Sequence, residues 1–283
     1  MNIRDRVGQI TWRLGLTTLA YRAIAAGGRF ALNFHGVSQA RRPGIPAELQ
    51  PHHSRQEFEQ VLVWLQPRFA FLRLEEFLFS DRPGVLLTFD DGHANNYTNI
   101  LPILETYRAQ GVFFVSTQHV HHPGDWLPAS RRDARRGWGS EAGVPAEIAT
   151  DLFDGLSAAQ LAALAASSWA VIGSHTVTHP FLSECSPEQV WQEVAQSRQD
   201  LQTLTGQPVD TFAYPYGSYN RAVAEAVSRA GYRAAFAVDP IPVGLPAFEI
   251  PRVGIYSSQP SYLGLKVCGL HRRPLRKAGL EWN

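Results

Sequence analysis

The segment VLLTFDDG, residues 85–92, decides how this sequence is interpreted. Its apolar first half is typical of a buried strand, because a short apolar run that ends in a turn signal favours a strand. Two adjacent carboxylates, Asp90 and Asp91, therefore emerge where the strand stops. An Asp-Asp-Gly sequence alone is most often a turn or a helix cap, so its meaning depends on what accompanies it.

The second motif is HTVTHP, residues 175–180. It places two imidazoles, His175 and His179, four residues apart, a spacing that can direct both at one ion. Such a pair also occurs on the surface of helices, but the β-branched residues between the histidines and the following Pro180 disfavour a helix. One carboxylate and two histidines leave part of a zinc-like coordination sphere open to water and substrate. Together the two motifs predict a metal-assisted hydrolase, with a second carboxylate available as base.

The order of these motifs resembles the polysaccharide deacetylases of the NodB-homology type, carbohydrate esterase family four. Members carry TFDDG, H-[ST]-x-x-H-P and R-x-P-Y-type motifs, and residues 88–92, 175–180 and the variant YPYG at 214–217 correspond to them. The resemblance covers residues 29–256. It implies that Asp91, His175 and His179 bind a divalent metal and that Asp90 is the general base.

The resemblance also implies the rest of the site. The backbone N–H of Tyr216 would help to hold the oxyanion, with Tyr214 and Pro215 at the substrate site. Zinc is the expected metal, although cobalt, nickel or iron suits the same ligands. The expected substrate is an N-acetylated amino-sugar glycan, free or lipid-linked. The expected fold is an irregular (β/α)7-type barrel with mainly parallel strands.

The general acid departs from the usual family pattern. Most members take it from a C-terminal Leu-x-His motif, but the only histidine after His179 is His271, in a basic tail without strand character. The sequence LNFHGV at residues 32–37 instead ends a predicted strand at His35. This arrangement resembles the circularly permuted branch of the poly-N-acetylglucosamine deacetylases. We therefore expect His35 to protonate the leaving amine.

The third motif also departs from the family pattern, because Ala213 occupies the position where the family has its arginine. That cation normally orients the base aspartate. Arg252, in the extended-looking segment 250–253, is a candidate to supply the charge from another strand and is grouped with the substrate site. A surface arginine is the alternative.

Strand and helix signals alternate along the chain, which predicts an α/β fold independently of the resemblance. Its catalytic residues are expected at the carboxyl ends of the strands. The predicted strands are Arg29–Phe34, Val85–Phe89, Val112–Ser116, Ala170–Ser174, Thr211–Tyr214 and Ala234–Val238. The predicted helices are a helix capped by Ser54 and ending at Leu65, Asn96–Gln110, Ser157–Ala166, a helix opened by Pro187 and ending near Thr205, and Arg221–Ala230.

Three further segments surround the expected catalytic domain at 29–256. Residues 1–28 form a predicted amphipathic helix that either packs on the domain or lies on an anionic membrane. Residues 121–156 are an irregular insertion in which Trp126 and Trp138 either stack on sugar rings or belong to a solvated loop. Residues 257–283 are expected to be a basic tail.

Composition limits the remaining function classes. A formal charge of +1 over 283 residues gives no reason to expect nucleic-acid binding. Arg13 and Arg22 interrupt the N-terminal apolar stretch, so neither a signal peptide nor a spanning helix is expected. Cytoplasm, with peripheral contact at the inner membrane face, is the expected location. Cys185 and Cys268 do not make a disulfide framework.

Three functions follow from these patterns. The first is removal of N-acetyl groups from amino sugars of a bacterial polysaccharide or glycoconjugate. The second is removal of formyl or another acyl group from a lipid-linked sugar. The third is a catalytically inactive carbohydrate-binding homologue. Metal content and the release of acetate or formate separate them.

Overall fold

The computed structural model describes residues 28–122, 146–238, 240 and 242–267. The strands are β1 (Arg29–Phe34), β2 (Val37–Ser38), β3 (His53–Ser54), β4 (Gly84–Phe89), β5 (Gly111–Val115), β6 (Ala170–Ser174), β7 (Thr211–Ala213), β8 (Ala234–Val238) and β9 (Ile250–Gly254). Seven of them are parallel and close into a barrel in the order β1-β4-β5-β6-β7-β8-β9, and β9 pairs with β1. Strands β2 and β3 form a separate two-stranded sheet. The predicted α/β barrel is confirmed.

Helices cover the outside of the barrel. They are α1 (Arg55–Leu65), α2 (Leu74–Phe79), α3 (Leu101–Tyr107), α4 (Thr117–His121), α5 (Ala146–Phe153), α6 (Ala158–Ala165), α7 (Pro187–Trp191), α8 (Ser197–Thr205), α9 (Arg221–Arg229) and α10 (Pro260–Val267). The predicted cap of α1 is confirmed: the Ser54 hydroxyl accepts the N–H of Glu57, whose carboxylate accepts the N–H of Ser54. Within the described residues, no helix has the length and apolar character needed to cross a bilayer.

Strand alternation divides the core into two parts. Residues such as Ala31, Leu86 and Phe114 form one apolar cluster, whereas their strand neighbours pack in a larger cluster with the helices. Because side chains alternate along a strand, Asn33 and Thr88 lie on the same face as Ala31 and Leu86. Arg252 of β9 is in register with Ala31. The barrel interior therefore changes from apolar to polar towards the carboxyl ends of its strands.

Two predicted helices are interrupted by π-helical turns. Residues predicted as one helix over 96–110 form a π turn at Asn96–Ile100 followed by α3, which ends at Arg108 in a left-handed conformation. A second π turn, Gln192–Gln196, separates α7 from α8. The apolar periodicity does not reveal such turns, because a single inserted residue shifts it only locally.

The insertion and the tail are more ordered than expected where the structure describes them. Residues at the end of the insertion form α5, and the first part of the tail forms α10, in which Leu263 and Val267 are buried. The predicted amphipathic helix, both insertion tryptophans and His271 lie outside the described residues. Their roles stay predictions.

Candidate metal centre and active site

Asp91, His175 and His179 come together at the mouth of the barrel. Asp91 follows β4, and the two histidines lie in the loop after β6. The Asp91 Oδ1 atom is 3.6 Å from Nε2 of His175 and 3.3 Å from Nε2 of His179. One ligand atom from each residue lies within 4.8 Å of the others. Since zinc binds such atoms at about 2.0–2.2 Å, this spacing suits a shared ion.

Unusual backbone conformations aim these ligands. Asp91, Thr176 and His179 have φ angles of 82°, 72° and 62°, in the left-handed region that is costly for residues other than glycine. Gly92, with φ of 81°, continues the turn after β4, and a Cβ there would lie 2.8 Å from a side-chain carbon of Val115. Such strain is typical of functional sites, where the surrounding structure holds it in place.

The tautomer and charge of His175 suit a metal ligand. Its Nδ1 lies 2.7 Å from the carbonyl oxygen of Ala213, so this nitrogen donates its proton and Nε2 keeps a lone pair facing Asp91. Burial lowers the pKa of His175 to about 4, although the Asp90 charge opposes the shift. The imidazole is therefore neutral at pH 7, as metal binding requires.

The pKa of His179 is shifted in the opposite direction. Burial acts to lower its pKa, but the hydrogen bond and the charge of Asp91 outweigh burial and raise it. Burial also opposes ionisation of Asp91, whereas hydrogen bonds from His179 and His93 hold the pKa of Asp91 well below its usual range. Asp91 is therefore a carboxylate at neutral pH and able to bind a cation.

Asp90 is paired with Arg252 inside the barrel. Nη1 of Arg252 is 2.6 Å from Oδ1 of Asp90, and Nη2 is 2.7 Å from Oδ2. Nη1 also donates to Thr88 Oγ1 at 3.2 Å and Asn33 Oδ1 at 3.4 Å. Arg252 is only 1% exposed, which rules out the surface alternative. In this environment its guanidinium contacts the candidate base.

This pair sets the charge of Asp90. Burial would raise the pKa of its carboxyl, but the charge and hydrogen bonds of Arg252, with smaller effects of His175 and His35, bring it below the usual value. Oδ2 of Asp90 is also 4.0 Å from Nε2 of His175. An ionised carboxylate thus lies beside the candidate metal ligands.

His35 directly follows β1 and is partly buried at the same face of the barrel. Its ring centroid lies 6.4 Å from that of His52 and 6.5 Å from that of Tyr256. The charge of His35 contributes to the lowered pKa values of Asp90 and Asp91. Among the described residues, its buried Nδ1 atom has no hydrogen-bond partner. These features are compatible with a proton donor that faces the site.

Tyr216 occupies the tight turn after β7. Its φ of 58° is left-handed, and its ring centroid lies 4.6 Å from that of His179. The Phe181 ring stacks on it at 4.0 Å, and both rings are about half exposed. Hydroxyls of Ser183 and Ser218, 2.7 Å apart, join the two loops. The Phe181–Tyr216 pair is therefore a fixed aromatic surface beside the candidate metal ligands.

The other predicted substrate contacts are placed differently. Tyr214 is 1% exposed, its hydroxyl donates to the Phe248 carbonyl at 3.0 Å, and its ring stacks on Tyr219 at 4.4 Å. Pro215 is buried as well. Because neither side chain reaches the surface of the site, we do not include them among the proposed substrate contacts.

Two residues at the site carry no sequence signal that predicts their role. His93 is buried, and its Nε2 lies 3.6 Å from the second carboxylate oxygen of Asp91. Glu193, far along the chain, accepts hydrogen bonds from the loop between His175 and His179. Each is a single residue outside the recognised motifs, and spacing patterns do not identify such residues.

The end of the insertion supports the first motif. The N–H of Ala94 donates to the Asp154 carbonyl and the N–H of Leu156 to the Gly92 carbonyl, each at 2.8 Å. The side chain of Asn95 donates to the carbonyl of Asp151 at 2.8 Å. Residues 151–156 therefore brace the turn that carries Asp91, the candidate metal ligand.

The sequence of this chain is similar to those of known proteins. YxkH of Bacillus subtilis (strain 168) is 24% identical over 217 residues, which cover 74% of this chain and 64% of that protein. Chitooligosaccharide deacetylase of Rhizobium leguminosarum bv. trifolii is 26% identical over 163 residues, covering 57% of this chain and 60% of that protein. The chain thus matches less than two thirds of the length of either relative.

Solved structures show the same fold. The deacetylase PplD of Streptococcus pyogenes in complex with acetate superposes with a TM-score of 0.62 at 21% identity, over 84% of this chain and 97% of that chain. IcaB of Ammonifex degensii gives 0.62 at 24% identity, over 86% and 97%. The profile of the family described as Polysaccharide deacetylase matches residues 80–235, more than half of the sequence. The chain belongs to the polysaccharide deacetylase family.

Proposed function

We propose that this chain is a metal-dependent hydrolase that removes N-acetyl groups from amino sugars of a bacterial polysaccharide or glycoconjugate. The main support is the placement of an arginine-paired, ionised Asp90 directly beside the Asp91, His175 and His179 cluster. A base beside an open coordination site is the arrangement that amide hydrolysis by an activated water requires.

The donor set fits a divalent metal. One carboxylate and two imidazole nitrogens suit zinc, and cobalt, nickel or iron also accept these ligands. The orienting contact of His175 with Ala213 and the proximity of His93 to Asp91 are the outer-shell interactions that accompany such sites. A bound metal would lower the pKa of water and polarise the amide carbonyl.

The side chains of this chain supply the proton transfers. Asp90, held ionised and in position by Arg252, takes a proton from the attacking water, whose oxygen forms the new bond to the acetyl carbon. The N–H of Tyr216 donates to the carbonyl oxygen as negative charge develops on it. His35 gives a proton to the amine nitrogen as the C–N bond breaks. The products are acetate and a free amino sugar.

The substrate class is inferred from the surface beside the ligands. The Phe181–Tyr216 pair offers half-exposed ring faces, and the flat apolar face of a pyranose can stack on such rings. Tyr256, beside His52 at the carboxyl end of β9, offers another exposed ring. One relative is named a chitooligosaccharide deacetylase. We therefore propose an N-acetylated glycan as substrate.

A product assay tests the proposal. The purified chain, loaded with zinc, is incubated with N-acetylated chitooligosaccharide, and released acetate and new primary amine are measured together. Equal amounts of both are expected. Release of formate from an N-formylated sugar, with no acetate from the acetylated one, would favour the deformylase alternative. Binding without either product would favour an inactive homologue.

The general acid gives a separate prediction. His35→Ala should lower kcat by about 10² to 10⁴, the usual contribution of a positioned acid, without changing the metal content. His271→Ala should be silent in both assays. A His35→Ala variant with nearly full kcat would remove His35 from the mechanism, and a large loss in His271→Ala would restore the ordinary motif order. The permuted arrangement depends on this result.

The aromatic surface gives another prediction. Phe181→Ala should raise KM about 2- to 10-fold with little change in kcat, because ring stacking contributes similarly to substrate and transition state. Phe79→Ala, which removes another exposed phenylalanine in α2, is the matched control and should leave both constants unchanged. Equal KM values for wild type and Phe181→Ala would remove the Phe181–Tyr216 pair from the substrate site.

Lipid-linked glycans remain part of the proposal. We also propose action on lipid-linked glycans, contact of residues 1–28 with the inner membrane face, a cytoplasmic location and sugar contacts by Trp126 and Trp138. These proposals rest on the sequence alone, because the segments concerned lie outside the described residues. Activity on a lipid-linked N-acetylated sugar, compared with the soluble oligosaccharide, tests the first of these.

A further inference from the structure

Glu193 binds the loop that joins the two histidine ligands. Its Oε2 atom accepts the backbone N–H groups of Val177 and Thr178, each at 2.8 Å. Its Oε1 atom accepts the Thr178 hydroxyl at 2.5 Å. One carboxylate therefore engages both residues at the centre of the loop. Charge-assisted hydrogen bonds of this kind are stronger than neutral ones and fix geometry more firmly.

The loop needs such support because its conformation is unfavourable. Thr176, a β-branched residue, and His179 both have positive φ angles. The Thr176 hydroxyl accepts the N–H of His179 at 2.9 Å. From the other side, the N–H groups of Thr117 and Gln118 donate to the carbonyls of Thr176 and Val177 at 3.1 and 3.0 Å. The loop carbonyls are thus held by α4, and its central N–H groups by Glu193.

The element that carries Glu193 is itself attached to the strand before the loop. Glu193 lies in the π turn 192–196, and the hydroxyl of Ser197 donates to the Glu193 carbonyl at 2.7 Å. The same hydroxyl lies 2.8 Å from that of Ser174, the residue before His175. The π turn and Ser197, the residue that follows it, therefore contact the chain at the centre and at the start of the ligand loop. Such turns are frequent at functional sites.

We propose that Glu193 is a positioning residue that holds His179 in the geometry needed to share a metal with His175 and Asp91. It touches neither the ligand atoms nor the reacting groups, and it acts through the backbone at residues 177 and 178. The inference rests on the metal-dependent function proposed above. It predicts that metal affinity depends on a carboxylate that is not a ligand.

Zinc affinity of the metal-free protein tests the inference without any substrate. Glu193→Gln keeps the size of the side chain but removes its negative charge and one of its two accepting oxygens, so the two backbone N–H groups lose their charge-assisted acceptor. Its zinc affinity should fall about 10- to 100-fold, the usual effect of losing an outer-shell partner. The absorption spectrum of bound cobalt should also change, because the position of His179 relaxes. Glu225→Gln, an exposed glutamate of α9 paired with Arg221, is the matched control and should bind zinc like wild type.

The outcomes separate the inference from the proposed function. Wild-type zinc affinity and an unchanged cobalt spectrum in Glu193→Gln would overturn the inference, even if the variant unfolds at a lower temperature. A wild-type chain that binds no zinc would overturn the proposed function together with the inference. If Glu193→Gln does not fold, Thr178→Val carries the test, because it removes only the hydroxyl contact. It should weaken zinc binding about 2- to 10-fold, and an unchanged affinity would overturn the inference.

Discussion

Asp90→Asn is expected to keep its bound metal and to lose about 10² to 10⁴ in kcat. Asparagine has the same shape, and its carbonyl oxygen can still accept from Arg252, so the barrel interior should stay filled. It cannot take a proton from water at neutral pH, which is the role proposed for Asp90. Metal content by elemental analysis and acetate release, measured on the same sample, give the two readouts.

A matched control exists on the outside of the protein. Asp210, about one third exposed, also pairs with arginines, Arg198 and Arg233. Asp210→Asn should leave both metal content and kcat unchanged. Retention of near wild-type kcat by Asp90→Asn would exclude Asp90 as the base. Loss of metal from Asp90→Asn would instead make Asp90 part of the metal site.

Replacement of a metal ligand is expected to have the other large effect. His179→Ala should remove bound metal and activity together, because the two remaining ligands do not form a complete site. The fold should survive, since His179 lies in a loop at the barrel mouth, outside the strands and helices. Asp91→Ala and His175→Ala should lose metal in the same way. Elemental analysis and thermal unfolding of each purified variant provide the measurement.

His121 provides the comparison for the ligand variants. It is an exposed histidine at the end of α4, and His121→Ala should keep metal and activity. Full metal occupancy in His179→Ala would contradict the ligand assignment. A global loss of folding in His179→Ala would show that the loop after β6 has a larger structural role than its position outside the strands and helices indicates.

The sequence predicted the α/β alternation and the grouping of the candidate site residues because both leave local signals, whereas the barrel was expected from the family resemblance. The apolar run of β4 stops at Asp90, and the histidine pair follows β6, so parallel strands bring both motifs to one face of the barrel. Serine N-cap residues such as Ser54 predicted the first residue of a helix to within one position. These features depend on neighbours in sequence, which periodicity and motif spacing can detect.

Periodicity and motif spacing did not predict contacts between residues that are distant in the sequence. Arg252 reaches Asp90 only because β9 pairs with β1 to close the barrel, and the sequence left its role open. Glu193 meets the histidine loop through a π turn that the apolar pattern does not show. The buried position of Tyr214 follows from its hydrogen bond to Phe248, a residue more than thirty positions away. In each case tertiary packing decides the role.

Metal removal and restoration test the proposed chemistry most directly. The chain is treated with a chelator, dialysed, and assayed for acetate release from N-acetylated chitooligosaccharide as zinc is added back. We expect the metal-free protein to be inactive, and activity should return in proportion to zinc until about one ion per chain is bound. The metal-free His179→Ala variant should not regain activity when zinc is added. Full acetate release by wild-type protein shown to contain no metal would contradict the proposed function.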